Sequence, residues 1–428
     1  MKYVIIGNGV AGTTAALALR RRDADAEITL VSGESDYFFS RTALMYAYMD
    51  RMKLGELEPF ERKSYDVQRI VRRRGWVQDL DAAARQLTLA GGAKIPYDRL
   101  LLAAGSTPRR ASWPGAESVK DGLTHFVTLD DLASCERLTS SAQRAVVAGG
   151  GLIGVELVEC LRHHGVEVDF LVREPSYWPA ALSALEGQVA AEEIERHGVR
   201  LRLGEEVAEV LADSATGRLT GVRSSKGEQI PCQMLGVCIG VEPGVTWLRT
   251  VQTPPALGRG VQVGADFRTS LPNVWAAGDC AEFQRPDGQP LVEQIWYSAK
   301  RQGELAARAM LGDAVTYAPP LFYNSAKFFQ LEFTTVGKAV HLPPGATVLE
   351  HRVPGRRATV RIAEHHGAVT GFNMLGARWD HRRFETWILE RRSLDYVVQH
   401  LHEAQFDGEF GRLPLASVRA AWQGMRAA

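Results

Sequence analysis

The sequence predicts an α/β protein with two Rossmann-like nucleotide-binding domains, one inserted in the other, followed by a C-terminal α+β domain. Two observations predict the paired domains. A glycine-rich loop of the form G-x-G-x-x-G occurs at 7–12 and again at 149–154, and each copy directly follows a short apolar run. An amphipathic helical pattern follows each loop. One such loop is a weak signal, but two copies between an apolar strand and a helix predict two nucleotide-binding modules.

The first module has its elements in the order that this fold requires. Tyr3–Ile6 is an apolar strand, Val10–Arg22 is a helix with its alanines on one face, and Ile28–Val31 is a second strand. Three runs of alternating polarity then predict a meander, with strands at Trp76–Leu80, Gln86–Leu89 and Lys94–Tyr97. The apolar run Leu100–Ala104 predicts a fully buried strand.

The same order repeats after the second loop. We predict a strand at Ala145–Ala148, a helix at Leu152–His164, a strand at Val168–Val172 and a long helix at Leu182–His197. A three-stranded meander follows at Val207–Leu211, Arg218–Ser224 and Glu228–Cys232, and then an apolar strand at Met234–Ile239. The chain therefore contains an internal duplication, although the two copies share little sequence beyond their glycines.

The duplication predicts three domains. Residues 1–112 and 250–315 form a discontinuous first domain, residues 113–249 an inserted second domain, and residues 316–428 a C-terminal interface or cap domain.

Proline and glycine mark the boundaries of the later segments. Gln252–Gly260 interrupts the duplicated pattern, a helix is predicted from about Glu293 to Leu311, and Pro319-Pro320 ends the first domain. The C-terminal domain begins with strand-like runs at Phe328–Val336, Ala358–Ile362 and Val369–Met374. Helical patterns follow these runs to the end of the chain.

Charge and hydropathy exclude two classes of partner. The 428 residues include 50 Lys+Arg and 50 Asp+Glu, so the formal net charge is zero and no basic field attracts a nucleic acid. No apolar run approaches the roughly 18 residues that cross a bilayer. The first strand begins at Tyr3, which leaves no room for a signal peptide. We therefore expect a cytoplasmic protein.

The cysteines and histidines predict neither disulfides nor a metal site. The five cysteines show no C-x-x-C motif and no zinc spacing, which is typical of free, buried thiols in a reducing compartment. His365-His366 and the pair His400 and His402 have no accompanying cluster of acids or cysteines. We expect no metal.

The first loop has the chemistry of a pyrophosphate site. Its first glycine permits the tight turn, its second lets the main chain approach a phosphate, and its third lets the helix pack closely. Free N–H groups at the positive end of the helix attract the phosphate charge. Glu34 follows the second strand and is placed to accept hydrogen bonds from ribose hydroxyls. The binding candidates are Gly7, Gly9, Val10, Ala11, Gly12 and Glu34.

The second loop predicts a second nucleotide whose phosphate preference is ambiguous. The residue after its second strand is Arg173, which can bind the 2′-phosphate of NADP, but Glu174 follows, and an acid there selects NAD. The sequence slightly favours NADPH over NADH. The binding candidates are Gly149, Gly151, Leu152, Ile153, Gly154, Arg173, Glu174 and Gly240.

Together with a third motif, Thr269–Cys280, the two loops resemble the pyridine nucleotide-disulfide oxidoreductase superfamily over about the first 315 residues. The resemblance implies a glutathione-reductase-type arrangement, with FAD on the first module and NAD(P)H on the second. It implies that Asp279 bonds the ribityl-phosphate region of FAD. Gly105 matches the end of the family's A-T-G strand, and Trp296 matches a position near the isoalloxazine ring.

The chain differs from the disulfide reductases of that family in the segment where those proteins have their redox-active cysteines. The segment Tyr37–Tyr46 contains no cysteine, and it resembles instead the arginine-containing element of the ferredoxin-, rubredoxin- and nitrite-reductase flavoproteins. That resemblance implies that Arg41 contacts FAD. The family glutamate matched by Glu156 pairs with a lysine near the flavin, and Tyr46 stands at that lysine's position. Tyr46 or Arg41 substitutes for the lysine, or Glu156 is a simple helix-surface residue.

The resemblance predicts an FAD-dependent NAD(P)H oxidoreductase that passes electrons to an acceptor, with a small iron–sulfur or rubredoxin-type protein favoured. No side chain is required as acid or base for hydride transfer, and the flavin-adjacent candidates are Glu156, Tyr46 and Trp296. Two alternatives stay open: a quinone or small-molecule reductase, and a redox-switch flavoprotein resembling apoptosis-inducing factor. For the terminal helix, packing against the chain or a second copy is favoured over contact with a membrane.

Overall fold

The computed structural model describes residues 1–285, 287–406 and 412–427. The chain forms two compact units. The first unit comprises Met1–Arg109, Val127–Ala133 and Gly240–Pro320, and the second comprises Arg110–Phe126, Ser134–Ile239 and Leu321–Ala428. Each unit contains one of the glycine-rich loops. The assignment of three functional domains stays a prediction.

The described residues form 26 strands. In chain order they are β1 Lys2–Ile6, β2 Glu27–Ser32, β3 Ile70–Arg74, β4 Val77–Asp81, β5 Gln86–Leu89, β6 Lys94–Pro96, β7 Arg99–Leu102, β8 Ser106–Pro108, β9 Leu123–Thr124, β10 Arg144–Ala148, β11 Glu167–Val172, β12 Arg200–Leu203, β13 Val207–Ala212, β14 Leu219–Ser224, β15 Gln229–Pro231, β16 Met234–Val237, β17 Val241–Pro243, β18 Val261–Gln262, β19 Val274–Ala276, β20 Ala281–Gln284, β21 Pro290–Leu291, β22 Tyr323–Phe328, β23 Leu331–Gly337, β24 Thr347–Arg352, β25 Thr359–His365 and β26 Ala368–Leu375.

Ten α-helices accompany them in the described part of the chain. They are α1 Val10–Arg22, α2 Leu44–Tyr48, α3 Lys63–Val67, α4 Leu129–Thr139, α5 Leu152–His163, α6 Ala184–Arg196, α7 Trp296–Leu311, α8 His381–Leu389, α9 Leu394–His400 and α10 Ala416–Ala427.

The core of the first unit is a parallel sheet with the strand order β19-β7-β1-β2-β3. Its central strand β1 is buried from Tyr3 to Ile6, as a strand covered on both faces requires. Ile6 lies opposite both Val31 of β2 and Leu102 of β7, so the carboxyl ends of these strands meet at one edge. Ligands bind at that edge in sheets of this class. The predicted meander forms the separate antiparallel sheet β4-β5-β6.

Helix α7 approaches α1 as closely as a glycine allows. A Cβ atom at Gly303 would lie 2.2 Å from the main-chain oxygen of Ala11, which no larger residue tolerates. Helix α7 begins at Trp296 rather than near Glu293, because Ile295 is extended, with φ −134° and ψ 133°. The carboxylate of Glu293 accepts a bond from Ser298 Oγ at 3.0 Å ahead of the first turn.

The second unit repeats the parallel arrangement with the order β12-β11-β10-β16-β9. It also contains an antiparallel sheet, β22-β23-β26-β25-β24, whose apolar side chains pack with those of α8, α9 and α10. The predicted mixed α/β class with a C-terminal α+β part is confirmed.

The strand-like run that we predicted at Phe328–Val336 is the end of β22 and most of β23. The two strands form a hairpin that turns at Phe329, whose φ is +51°. Positive φ is strained for a bulky aromatic residue. Its N–H donates to the buried carboxylate of Glu159 on α5 at 2.5 Å, which stabilises the turn.

None of the helices in the described ranges is long and apolar enough to cross a membrane.

Gly303→Ala is expected to destabilise the protein. The new Cβ would force α1 and α7 apart, and overpacking of this kind costs about 1–3 kcal/mol. Thermal unfolding of the purified variant measures the effect. The matched control is Gly424→Ala on α10, where nothing lies within 4 Å of the new Cβ and the helix propensity of alanine predicts a small stabilisation. A melting temperature for Gly303→Ala at or above the wild-type value would contradict the packing.

Candidate functional site

The first glycine-rich loop combines two tight main-chain contacts with one open position. A Cβ atom at Gly7 would lie 2.1 Å from the oxygen of Ala103, and one at Gly12 would lie 1.9 Å from the oxygen of Gly7. At Gly9 nothing lies within 4 Å. The first and third glycines are therefore required by the fold, and the second leaves space beside the start of α1.

The second loop has the same contacts at the three glycines of the motif. A Cβ atom at Gly149 would lie 2.1 Å from the oxygen of Cys238, and one at Gly154 would lie 2.0 Å from the oxygen of Gly149. Around Gly151 there is again nothing within 4 Å. The duplication predicted from the sequence therefore extends to the contacts of each loop.

Both loops present a helix N-terminus to the open position. Gly9 is the N-cap of α1 and Gly151 is the N-cap of α5, and neither supplies a side-chain acceptor. The first N–H groups of a helix have no partner within the helix and carry partial positive charge. Val10 and Ala11 supply such groups in the first unit, and Leu152 and Ile153 supply them in the second. Each site has the shape and polarity that a pyrophosphate requires.

Glu34 and Arg41, both predicted to bind the first nucleotide, pair with each other. The Arg41 guanidinium donates two bonds to the Glu34 carboxylate, at 3.0 and 2.6 Å. Glu34 also accepts the N–H of Leu129 at 3.0 Å, and Arg41 donates to the oxygen of Val127 at 2.7 Å. The sequence did not reveal these two contacts with the start of α4. An arginine–carboxylate pair with two bonds is geometrically well defined.

Asp279 follows β19 at the carboxyl edge of the first sheet. Its Oδ2 accepts a bond from Ser106 Oγ at 2.9 Å, and Ser106 Oγ in turn accepts one from Gln294 Nε2 at 2.8 Å. Burial raises the pKa of the Asp279 carboxyl, which Ser106 partly offsets. Sequence reasoning missed Ser106 and Gln294. The only available signal was the position of Ser106 directly after the strand-end Gly105.

Gly105 and Gly240 occupy equivalent places where the chain leaves the first unit and returns to it. Both adopt a left-handed conformation, with φ +69° and +107°. The strands that begin just beyond them, β8 and β17, pair antiparallel. The N–H of Arg109 donates to the oxygen of Gly240 at 3.1 Å. Each glycine therefore allows the chain to change direction just before one strand of this antiparallel pair.

Trp296 begins α7 and is half-buried. Its ring packs edge to face with Tyr297 at 5.4 Å, and the Lys300 ammonium lies 5.3 Å from the ring centroid. Farther along the same helix, Gln302 Oε1 accepts the N–H of Gly278 at 2.8 Å. The loop that carries Asp279 is therefore bonded to the helix that carries Trp296.

Arg173 and Glu174 form an ion pair after β11, with 2.9 Å between Arg173 Nη2 and Glu174 Oε1. The arginine side chain is 73% exposed and the glutamate side chain 36%. The two charges that conflicted in the sequence thus pair with each other after the second strand of the module.

Glu156 lies on α5 in the second unit, and Tyr46 lies half-buried on α2 in the first. Burial, together with the smaller effect of the nearby Glu159 carboxylate, raises the pKa of Glu156 to about 8. At neutral pH the Glu156 carboxyl is therefore largely protonated. Glu156 also raises the pKa of the buried Tyr177 hydroxyl, although burial is the larger cause.

The five cysteines are all buried, and none is in a disulfide. Over residues 1–285, 287–406 and 412–427, no group of three or more His, Cys, Asp or Glu side chains has an arrangement that could hold a metal ion.

The glycine-rich loop at 7–12 and the start of α1 form a first cradle, and the loop at 149–154 and the start of α5 form a second cradle of closely similar geometry. Two such cradles are typical of proteins that bind two nucleotides. A family model described as "Pyridine nucleotide-disulphide oxidoreductase" matches residues 1–310. The chain belongs to this family. The predicted family and the predicted class, an FAD-dependent NAD(P)H oxidoreductase, are thereby confirmed.

The chain is also similar to individual proteins of known sequence and structure. It is 34% identical to the biphenyl dioxygenase system ferredoxin--NAD(+) reductase component of Paraburkholderia xenovorans, over 73% of this chain and 75% of the relative. It is 30% identical to rhodocoxin reductase of Rhodococcus erythropolis, over 81% of each chain. The crystal structure of the ferredoxin reductase for the CYP199A2 system from Rhodopseudomonas palustris matches with a TM-score of 0.79 and 25% identity, over 88% of this chain and 91% of that one.

Asp279→Ala is expected to reduce the FAD content of the purified protein strongly. The substitution removes a buried carboxylate from the edge of the first sheet and leaves Ser106 without its acceptor. The ratio of flavin absorbance to protein absorbance measures the loss. Asp287→Ala, at an exposed aspartate in the β20–β21 turn, is the matched control and should leave the ratio unchanged. Equal flavin content in the two variants would remove Asp279 from the site.

Proposed function

We propose that this protein is an NADH-dependent flavoprotein reductase that delivers electrons to a small iron–sulfur protein of the ferredoxin type. The observation that carries the proposal is the repeated cradle, with an open glycine at the start of α1 and another at the start of α5. The relatives whose names specify ferredoxin--NAD(+) and rhodocoxin reductases support it. Segment 37–46 contains no cysteine that could accept electrons from the flavin, so an external acceptor is proposed.

The first cradle is assigned to FAD. Gly9, Val10 and Ala11 would hold the pyrophosphate, and Glu34 the ribose of its adenosine half. Asp279 would bond the ribityl-phosphate region, and Trp296 would lie near the ring system. The Ser106–Gln294 pair supports this assignment, because it orients a buried carboxylate at the edge where a ligand binds.

The second cradle is assigned to the nicotinamide cofactor. Gly151, Leu152 and Ile153 would hold its pyrophosphate, and Glu174 its ribose hydroxyls. NADH is favoured over NADPH because Arg173, which would otherwise attract a 2′-phosphate, is already neutralised by Glu174 at 2.9 Å. The term NAD(+) in the name of the 34% identical relative supports the same donor.

The chain's own contribution to the reaction is orientation and electrostatics. FAD, when bound, supplies the chemistry by accepting a hydride from the nicotinamide and releasing electrons to the acceptor. The two cradles fix both nucleotides by their phosphates, which removes rotational and translational freedom before the reaction. The N-terminus of α7, which Gln302 ties to the Asp279 loop, would stabilise negative charge on the reduced ring.

The start of α7 also offers a surface for an acceptor. Lys300 and Arg301 are exposed, and Tyr297 is 42% exposed beside them. Two adjacent cations next to an exposed aromatic ring fit an acidic protein partner, since opposite charges accelerate encounter and fix its orientation. These residues lie within two turns of Trp296, so the surface is close to the proposed flavin position.

The protein is expected to bleach its flavin absorption rapidly with NADH in a stopped-flow experiment. It should then reduce a [2Fe–2S] ferredoxin in steady state, at a rate that falls as salt rises because salt screens the docking charges. Slow flavin reduction by both NADH and NADPH would contradict the reductase and favour the redox switch. Rapid reduction of a quinone with no ferredoxin turnover would favour the small-molecule reductase.

Two charge reversals separate the docking surface from the flavin site. Arg301→Glu should slow ferredoxin reduction severalfold at low salt and leave flavin reduction by NADH unchanged. Lys94→Glu is the control, because this exposed lysine lies on β6 of the separate antiparallel sheet and not on α7. Equal ferredoxin rates in the two variants would exclude the start of α7 as the docking surface.

Glu174→Gln is expected to shift the donor preference towards NADPH. Removal of the carboxylate frees the Arg173 guanidinium for a 2′-phosphate and weakens the acceptor for ribose hydroxyls. One charge-assisted bond corresponds to roughly a tenfold change in the ratio of kcat/KM values for NADPH and NADH. Arg173→Gln is the matched control and should leave NADH preferred. An unchanged ratio in Glu174→Gln would place the pair outside the site.

A further inference from the structure

One large aromatic side chain at the carboxyl edge of the first sheet lies largely in solvent. Trp76 is 66% exposed, although it stands between β3 and β4 in a well-packed unit. A single exposed apolar residue is ordinary on a protein surface. Its position and its contact with Gly33 distinguish this tryptophan from such residues.

Trp76 leaves the sheet beside the residues that follow β2. Strands β2 and β3 are parallel, and Ser32 lies opposite Arg74 at their carboxyl ends. The N–H of Gly75 donates to the oxygen of Ser32 at 2.9 Å, which holds the two chain exits together. Trp76 and Glu34 therefore emerge at the same edge as the first glycine loop.

The indole ring lies directly on Gly33. A Cβ atom at Gly33 would lie 2.1 Å from Trp76 Cδ2 and 2.4 Å from Trp76 Cε2, so a larger residue would displace the ring from this position. Gly33 immediately precedes Glu34, the proposed ribose ligand. The ring therefore lies against the residue that precedes the proposed ribose ligand.

We propose that Trp76 is a positioning residue for FAD and forms one wall of the adenine pocket. The inference rests on the assignment of the first cradle to FAD. A ribose bonded to Glu34 carries its base within reach of a ring that is held one residue away, and an exposed indole offers a flat face to a flat base. Stacking of a base on an aromatic side chain is a substantial and base-tolerant source of affinity.

The test compares the binding of FAD and FMN to the apoprotein, because FMN lacks the adenosine half. Trp76→Ala should weaken FAD binding roughly tenfold and leave FMN binding unchanged. Trp76→Phe, which keeps an aromatic ring, should restore most of the FAD affinity. The matched control is Val71→Ala, at another exposed apolar residue (48%) on β3. It should change neither affinity.

A second measurement covers the case in which Trp76→Ala fails to fold. ADP, which contains the adenine half of FAD, should quench the tryptophan fluorescence of the wild-type apoprotein more than that of Trp76→Phe. Equal quenching, or an equal loss of FAD and FMN affinity in Trp76→Ala, would overturn the role proposed for Trp76. Either result would leave the assignment of the first cradle to FAD intact. If the wild-type apoprotein bound no FAD, the assignment of the first cradle itself would be wrong.

Discussion

The structure depends on a main-chain contact made twice, between the first glycine of each loop and the end of the neighbouring strand. At Gly7 and Gly149 the α-carbon lies so close to the carbonyl of the residue that follows the neighbouring strand that no side chain fits. This contact places the start of the following helix at the carboxyl edge of the sheet. The helix N–H groups then face the open second glycine, and the remaining site residues lie along the same edge.

Much of the fold follows from patterns that act over a few residues. Helix α1 has the predicted bounds Val10–Arg22, and the strands around both loops agree to within a residue or two, because apolar periodicity and glycine spacing are local signals. The exceptions depend on distant contacts. The hairpin at Phe329 is stabilised by Glu159 of α5, and no periodicity in the run 328–336 indicates a turn there.

The same distinction applies to the candidate site. The glycines, Glu34 and Asp279 could be predicted as site residues because each belongs to a motif with fixed spacing. Ser106 and Gln294 lie 188 residues apart in the sequence and contact each other only in the folded chain. The neutralisation of Arg173 by Glu174 is a conformational choice of two flexible side chains, and adjacency in the sequence left it open.

The buried cysteines have a consequence for the chemical durability of the protein. Burial raises the pKa of Cys232 to about 12 and that of Cys280 to about 11, so both thiols stay protonated at physiological pH. Peroxide reacts with the thiolate and requires access to it. Oxidation by peroxide is therefore expected to be slow at these two sulfur atoms.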